Sequence, residues 1–160
     1  MDDLYRYGSF LERAIAYLID VLIRAILAMI CLFIILFPFY YSSSNSDLFL
    51  QSPEFRLAIT LIFVIASWLY YAILESSSKQ ATLGKQIIGL KVTDLNLQPI
   101  SFAKSSARYW SRSIIGLGLI FVQIPFIRLI PLWCLVYFFT EKKQCLHDLI
   151  ARCIVVKAKV

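Results

Sequence analysis

The dominant pattern along the chain is a long apolar run from Leu11 to Tyr41, LERAIAYLIDVLIRAILAMICLFIILFPFYY, broken beyond Ala14 only by Asp20 and Arg24. About 20 mostly apolar residues cross the hydrocarbon core of a bilayer, so the run predicts a membrane helix with length to spare. If Val21 to Tyr40 fill the core, Asp20 sits at its edge and Arg13 lies about two turns outside it, on the same helical face. A second run, Phe55 to Leu74, predicts another spanning helix that Glu75 ends, with Arg56 snorkelling at one interface and Trp68, Tyr70 and Tyr71 at the other. Between the two, residues 42–54 hold no Lys or Arg and are rich in Ser, as expected of an exposed connection.

A third apolar block, Ile114 to Thr140, is interrupted by Gln123, Pro125, Arg128 and Pro131. Basic residues decide how it runs. Ser76 to Ser113 carries Lys79, Lys85, Lys91, Lys104, Arg108 and Arg112 against Asp94, and the tail carries Lys142, Lys143, Arg152, Lys157 and Lys159 against Glu141 and Asp148. Both segments should therefore be cytoplasmic, which requires the third block to enter and return. The expectation is a helical hairpin, roughly Ala103 to Gln123 and Phe126 to Phe139, turning near Gln123 to Arg128.

Period-two patterning occurs in two short places. Ile87 to Asp94 reads as a strand followed by a break at Asn96 to Pro99, and Cys153 to Val160 is a second β-branched run expected to pair with it. Phe102 to Ser113 reads as a helix with Lys104, Arg108 and Arg112 forming a basic stripe, expected to anchor to anionic lipid. The expected fold class is an all-α integral membrane protein with a small cytoplasmic β element. Its parts are helix 11–41, helix 55–75, a cytoplasmic loop with a strand at 76–101, a helical hairpin at 102–140 and a cytoplasmic tail with a strand at 141–160.

Composition agrees with that class. Apolar and aromatic residues make up 60% of the chain and mean hydropathy is +0.75, far above an ordinary soluble domain. The net charge of +6 flanks apolar blocks instead of forming a soluble basic domain, so no nucleic-acid partner is expected. Cysteines 31, 134, 145 and 153 show no CxxC spacing, and reduced thiols are expected. The mixed-charge opening and over-long apolar block do not match a cleaved signal peptide, so the first helix is expected to be retained.

Three stretches, ERAIAYLID at 12–20, TLGKQIIGLKV at 82–92 and QCLHDLIARCIVV at 144–156, together resemble the RDD family of small bacterial membrane proteins, which takes its name from one arginine and two aspartates. By position these are Arg13, Asp20 and Asp148. The chain departs from the family pattern with Lys79-Gln80-Ala81-Thr82 and with Arg152-Cys153, where the family usually has a Gly-Gln-Thr entry and Gly-Thr. The resemblance implies a multispanning inner-membrane protein of a family without an established common chemistry, for which transport of an ion or small ligand has been proposed; the basic residues are what lead to the expectation that both termini are cytoplasmic. It implies no catalytic residue.

The candidate ligand- or ion-binding residues are thus Arg13, Asp20 and Asp148 at the cytoplasmic boundary, with Arg128 at the hairpin tip. An aspartate in a low-dielectric rim, tuned by a nearby arginine, can exchange a proton or bind a cation. In the competing structural reading, Asp20 pairs permanently with Arg13, Arg24 or Arg128 and Asp148 caps a turn or helix. Thr82-Leu83-Gly84-Lys85 lacks the earlier glycine and the Ser or Thr of a phosphate loop. His147 with Cys145 and Cys153 matches no common metal spacing, and no catalytic arrangement or cofactor motif is evident, so neither enzyme nor cofactor is expected. Two function classes remain: a carrier, expected to be a homo-oligomer because so few helices enclose little pathway alone, and a non-transporting accessory of another membrane protein.

Overall fold

The computed structural model describes residues 5–42, 52–120 and 132–158. Helix α1, Phe10–Ser42, starts at a reciprocal cap: the Glu12 N–H donates to Ser9 Oγ at 3.3 Å and the Ser9 N–H donates to the Glu12 carboxylate at 2.9 Å. Helix α2, Pro53–Ser76, starts with Ser52 Oγ accepting the Phe55 N–H and with Pro53 where no N–H is needed. Among the described residues two helices are long and apolar enough to cross a membrane, Phe10–Ile35 within α1 and Pro53–Ser76. Leu22, Ile26, Met29, Phe33, Ile34, Leu61 and Ile62 are exposed on them, an uncovered apolar surface that suits lipid.

At the foot of α1 sits a small mixed layer. Helix α3, Leu83–Ile88, packs against α1 and ends at Gly89, whose φ of 78° turns the chain into strand β2, Leu90–Asp94. The expected strand began at Ile87. It is corrected: Ile87 and Ile88 complete α3, because the left-handed turn at Gly89 separates them from the ladder. Strand β3, Cys153–Ala158, pairs antiparallel with β2 from Leu90 opposite Lys157 to Asp94 opposite Cys153, the partnership expected from the patterning. Strand β1, Tyr5–Tyr7, joins the other edge of β3 and gives the order β1-β3-β2. The protein is therefore mostly helical with a three-stranded sheet, rather than two paired strands alone. Its core joins Ala16 of α1 to Leu90, Val92, Ile100, Ala151, Cys153 and Val155.

Helix α4, Phe102–Ile120, packs along α2; α5 spans Leu132–Phe139 and α6 spans Leu146–Ile150. The expected hairpin turn, with Gln123 and Arg128, lies outside the described residues. Of the aromatic residues expected at a lipid interface, Trp68 and Tyr71 meet α4 and Tyr70 turns towards α1. Trp68 Nε1 donates to Ser106 Oγ at 3.0 Å, its ring stands 5.9 Å from Phe102, and the Tyr71 ring stands 5.7 Å from Tyr109.

Candidate functional site

Asp20 is 1% exposed, and its carboxylate reaches across from α1 to two other elements. Tyr70 Oη of α2 donates to Oδ1 at 2.7 Å, the Gly84 N–H in the first turn of α3 donates to the same oxygen at 2.8 Å, and Thr82 Oγ1 donates to Oδ2 at 2.6 Å. Among the described residues no cation bonds to this carboxylate. Arg24, one turn along α1, spends its Nε on the Asp20 backbone carbonyl at 3.3 Å. Glycine at position 84 is a matter of space. A Cβ there would stand 2.2 Å from the Ala16 carbonyl oxygen and 2.9 Å from Asp20 Cγ, so α3 approaches α1 this closely only without a side chain.

Asp148, fully buried at the start of α6, is held in the opposite way. Arg13 Nη1 lies 2.8 Å from Oδ2, Arg108 Nε lies 2.7 Å from Oδ1, and the Cys145 N–H closes a capping box onto Oδ2 at 3.2 Å. Arg108, 5% exposed on α4, also binds Glu75 of α2 at 2.9 Å through Nη1. Glu75 is 3% exposed; Ser105 Oγ donates at 3.2 Å to the oxygen that Arg108 bonds, Oε2, and Lys85 of α3 bonds the other, Oε1. Arg13 further donates to the carbonyls of Lys143 at 2.7 Å and Gly8 at 3.2 Å and stacks over Tyr137. Three cations and two carboxylates thereby tie α1, α2, α3, α4 and α6 together, and each charge has an opposite one within contact.

The titrations follow from this packing. Burial opposes charge on Asp148, yet the Arg108 guanidinium, with His147 and Arg13, holds its carboxyl well below the usual carboxylate range. Burial pushes His147 down to about 4 although Asp148, 3.2 Å away, favours the charged ring. Burial likewise lowers the Lys85 ammonium, with Glu75 opposing. Cys145, His147 and Asp148 bring metal-type donor atoms within 4.8 Å of one another. Two guanidiniums already occupy the Asp148 oxygens, so a cation there would have to displace Arg13 or Arg108 against their repulsion.

The structure brings two of the expected site residues together, Arg13 and Asp148, and leaves Asp20 in a cluster of its own. The expected convergence of all three is corrected, because seven residues of α1 place Asp20 about 10 Å along the axis from Arg13. Asp148 caps α6 as the structural reading had it and also pairs with Arg13, whereas the permanent arginine partner which that reading gave Asp20 is corrected: among the described residues its carboxylate is held by Tyr70, Thr82 and Gly84. Arg108 also departs from expectation: its guanidinium turns inward onto Glu75 and Asp148, while the stripe neighbour Lys104 stays exposed within 4.0 Å of Asp94. Glu75, Lys85, Thr82, Gly84 and Tyr70 were not singled out as site residues. Glu75 reads in the sequence only as the end of an apolar helix; the signal that could have found its role is that a carboxylate in such a place needs a cationic partner.

The family signature and the geometry describe the same residues. Residues 7–152 match the model of the RDD family, so all three named positions fall inside it. The chain is similar to the "Uncharacterized protein YxaI" of Bacillus subtilis (strain 168), 33% identical over 153 residues, covering 91% of this chain and 93% of that one. No solved structure matches. An arginine and an aspartate that clamp the tail to the first helix, a second aspartate that docks the central loop on it, and two apolar helices long enough to cross a bilayer are what the matched region consists of: the chain is a membrane protein and belongs to the RDD family.

Proposed function

We propose that the protein is a multi-pass inner-membrane carrier with both termini cytoplasmic, and that Asp20 is the group that takes up and releases a proton or a small monovalent cation. One observation carries the reading. A carboxylate 1% exposed, on a helix apolar enough to span, is held by neutral donors with no cation bonded to it among the described residues. Intramembrane carboxylates are costly and ordinarily mark ion or proton pathways. The shell suits exchange, because hydroxyls can reverse from donor to acceptor. The Gly84 N–H can only donate and fixes Oδ1; Oδ2 faces the Thr82 hydroxyl, which can turn to accept from a protonated Asp20 or offer oxygen to a cation.

The Arg13–Asp148–Arg108–Glu75–Lys85 network is the fixed frame in this reading, and copies of the chain enclose the pathway as a homo-oligomer. Flux into liposomes containing the purified protein tests it, with Na⁺, K⁺ and H⁺ gradients applied in turn. Asp20→Asn keeps the acceptor for the Gly84 N–H, so it should assemble normally and lose flux. Folded Asp20→Asn protein with unchanged flux would sink the carrier. A second reading, a non-transporting accessory, draws on the apolar faces of α1 that nothing in the described chain covers. It predicts no flux in the wild type and stable co-purification with one larger membrane protein.

A further inference from the structure

Two arginines outside the ion network share a single tyrosine. Arg112 Cζ of α4 stands 4.2 Å from the centroid of the Tyr71 ring and Arg24 Cζ of α1 stands 5.1 Å from the same centroid. Arg112 also lies 5.7 Å from the Tyr109 ring and 5.9 Å from the Tyr17 ring. Among the described residues neither guanidinium forms an ion pair. The nearby carboxylates are committed elsewhere: Asp20, on the helix of Arg24, to Tyr70, Thr82 and Gly84, and Glu75, on the helix of Tyr71 and lining the same small cavity as Arg112, to Lys85, Arg108 and Ser105. Tyr71 is 2% exposed, and its hydroxyl has no hydrogen-bond partner among the described residues.

This combination asks for a ligand. Two like charges held around one ring repel each other, and the attraction of a tyrosine face for a guanidinium supplies only part of the compensation that apolar surroundings require. A buried hydroxyl without a partner is itself unfavourable. One anion would answer all three groups. Planar guanidinium forks are shaped for the oxygens of a phosphate, and both arginines are half-buried, so they remain open from one side. We infer that Arg24, Arg112 and Tyr71 form a binding site for a phosphate group, supplied either by an anionic lipid headgroup reaching in from the bilayer or by free phosphate. The site stands apart from the Asp20 reading and does not depend on transport.

Thermal unfolding of the full chain in delipidated detergent micelles tests it. Phosphatidylglycerol, phosphatidylcholine, sodium phosphate and sodium chloride are added separately. Occupancy well above the dissociation constant should raise the midpoint by about 5 °C. A rise with phosphatidylglycerol but not with sodium phosphate assigns the group to lipid, and a rise with sodium phosphate that phosphatidylglycerol does not exceed assigns it to the free ion. Arg24→Gln and Arg112→Gln should each remove at least half of the rise. Lys142→Gln, at an exposed position on the tail, should leave it unchanged. Should the glutamine variants fail to fold, Arg112→Lys keeps the charge, loses the fork and is expected to weaken the response. No rise with either phosphate source, or an equal loss in the Lys142 variant, overturns the site.

Discussion

Asp20 and Asp148 are equally buried, yet the first is gripped by hydroxyls and an amide and the second by two guanidiniums. Neutral donors stabilise a carboxylate without fixing its charge, because a hydroxyl can reverse its hydrogen bond when a proton arrives. Guanidiniums cannot reverse. Protonating Asp148 would strand Arg13 and Arg108 in a low-dielectric interior, so its charge is locked as firmly as the network is assembled. The two aspartates in this family's name thus occupy opposite electrostatic regimes within one small domain. One docks a loop through bonds that tolerate a change of charge, and the other, through bonds that do not, joins α1, α4 and α6 within the network that ties five elements together.

The comparison breaks most sharply at Arg108. Replacing it by Met keeps much of the aliphatic bulk but leaves Glu75 and Asp148 each short of a cation in buried surroundings. Removing one partner of a buried ion pair typically costs about 3–5 kcal/mol, and here one residue serves two carboxylates. The expected outcome is loss of most folded protein, read as the monodisperse fraction on size-exclusion chromatography of detergent extracts. Glu75→Gln combined with Arg108→Met should recover part of that loss. An Arg108→Met protein as stable as the wild type would show that the network is not what secures the fold.

Gly84 is the corresponding weak point of the neutral cluster. Gly84→Ala puts a methyl group where the Ala16 carbonyl oxygen would be 2.2 Å away, so α3 must lift from α1 and the amide bond to Asp20 lengthens or breaks. Overpacking costs about 1–3 kcal/mol and a hydrogen bond to a charged group about 1.5–3, so a loss of roughly 3 kcal/mol is expected. Thermal melts read it. Faster proteolysis of the 76–101 loop in the variant would place the damage at this contact; a melt within a degree of wild type would contradict the close approach.

The two regimes were unequally legible in the chain. Both long helices could be read from apolar length, and the β2–β3 pairing from the β-branched residues of Leu90–Asp94 and Cys153–Ala158, because those signals are local. β1 gave no signal, since Tyr5–Tyr7 is too short to show an alternation. Lys104, Arg108 and Arg112 recur at the same helical spacing, yet one lies beside Asp94, one is buried between two carboxylates and one stacks on tyrosines. Only the placement of α4 against α2 separates them, and periodicity holds no information about a neighbour. For Asp20, the segment Thr82 to Lys85 could be tested against a phosphate loop and rejected. That its glycine serves a carboxylate on another helix follows from a tertiary contact.

The smallest expected effect is a pH dependence within the cationic cluster. His147 is held neutral by burial, its folded value pushed down to about 4 from an ordinary 6.5, so between those limits the unfolded chain binds more protons than the folded one. Stability from this group is therefore complete above about pH 6.5 and lost progressively as the pH falls towards 4. Asp148, which Arg108 holds well below the usual carboxylate range against burial, adds to the slope only towards pH 4, where the unfolded carboxyl begins to take up protons, and it does so in the His147 variant as well. With Asp148 only 3.2 Å away and drawing charge onto the ring, the expected loss is on the order of 2 kcal/mol. Melting points of wild type and His147→Gln between pH 7 and 4.5 measure it: the wild type should fall more steeply, and the variant's shallower curve isolates the histidine. A His147→Gln protein that lost stability as steeply as the wild type would show that the buried ring is not the source of the slope.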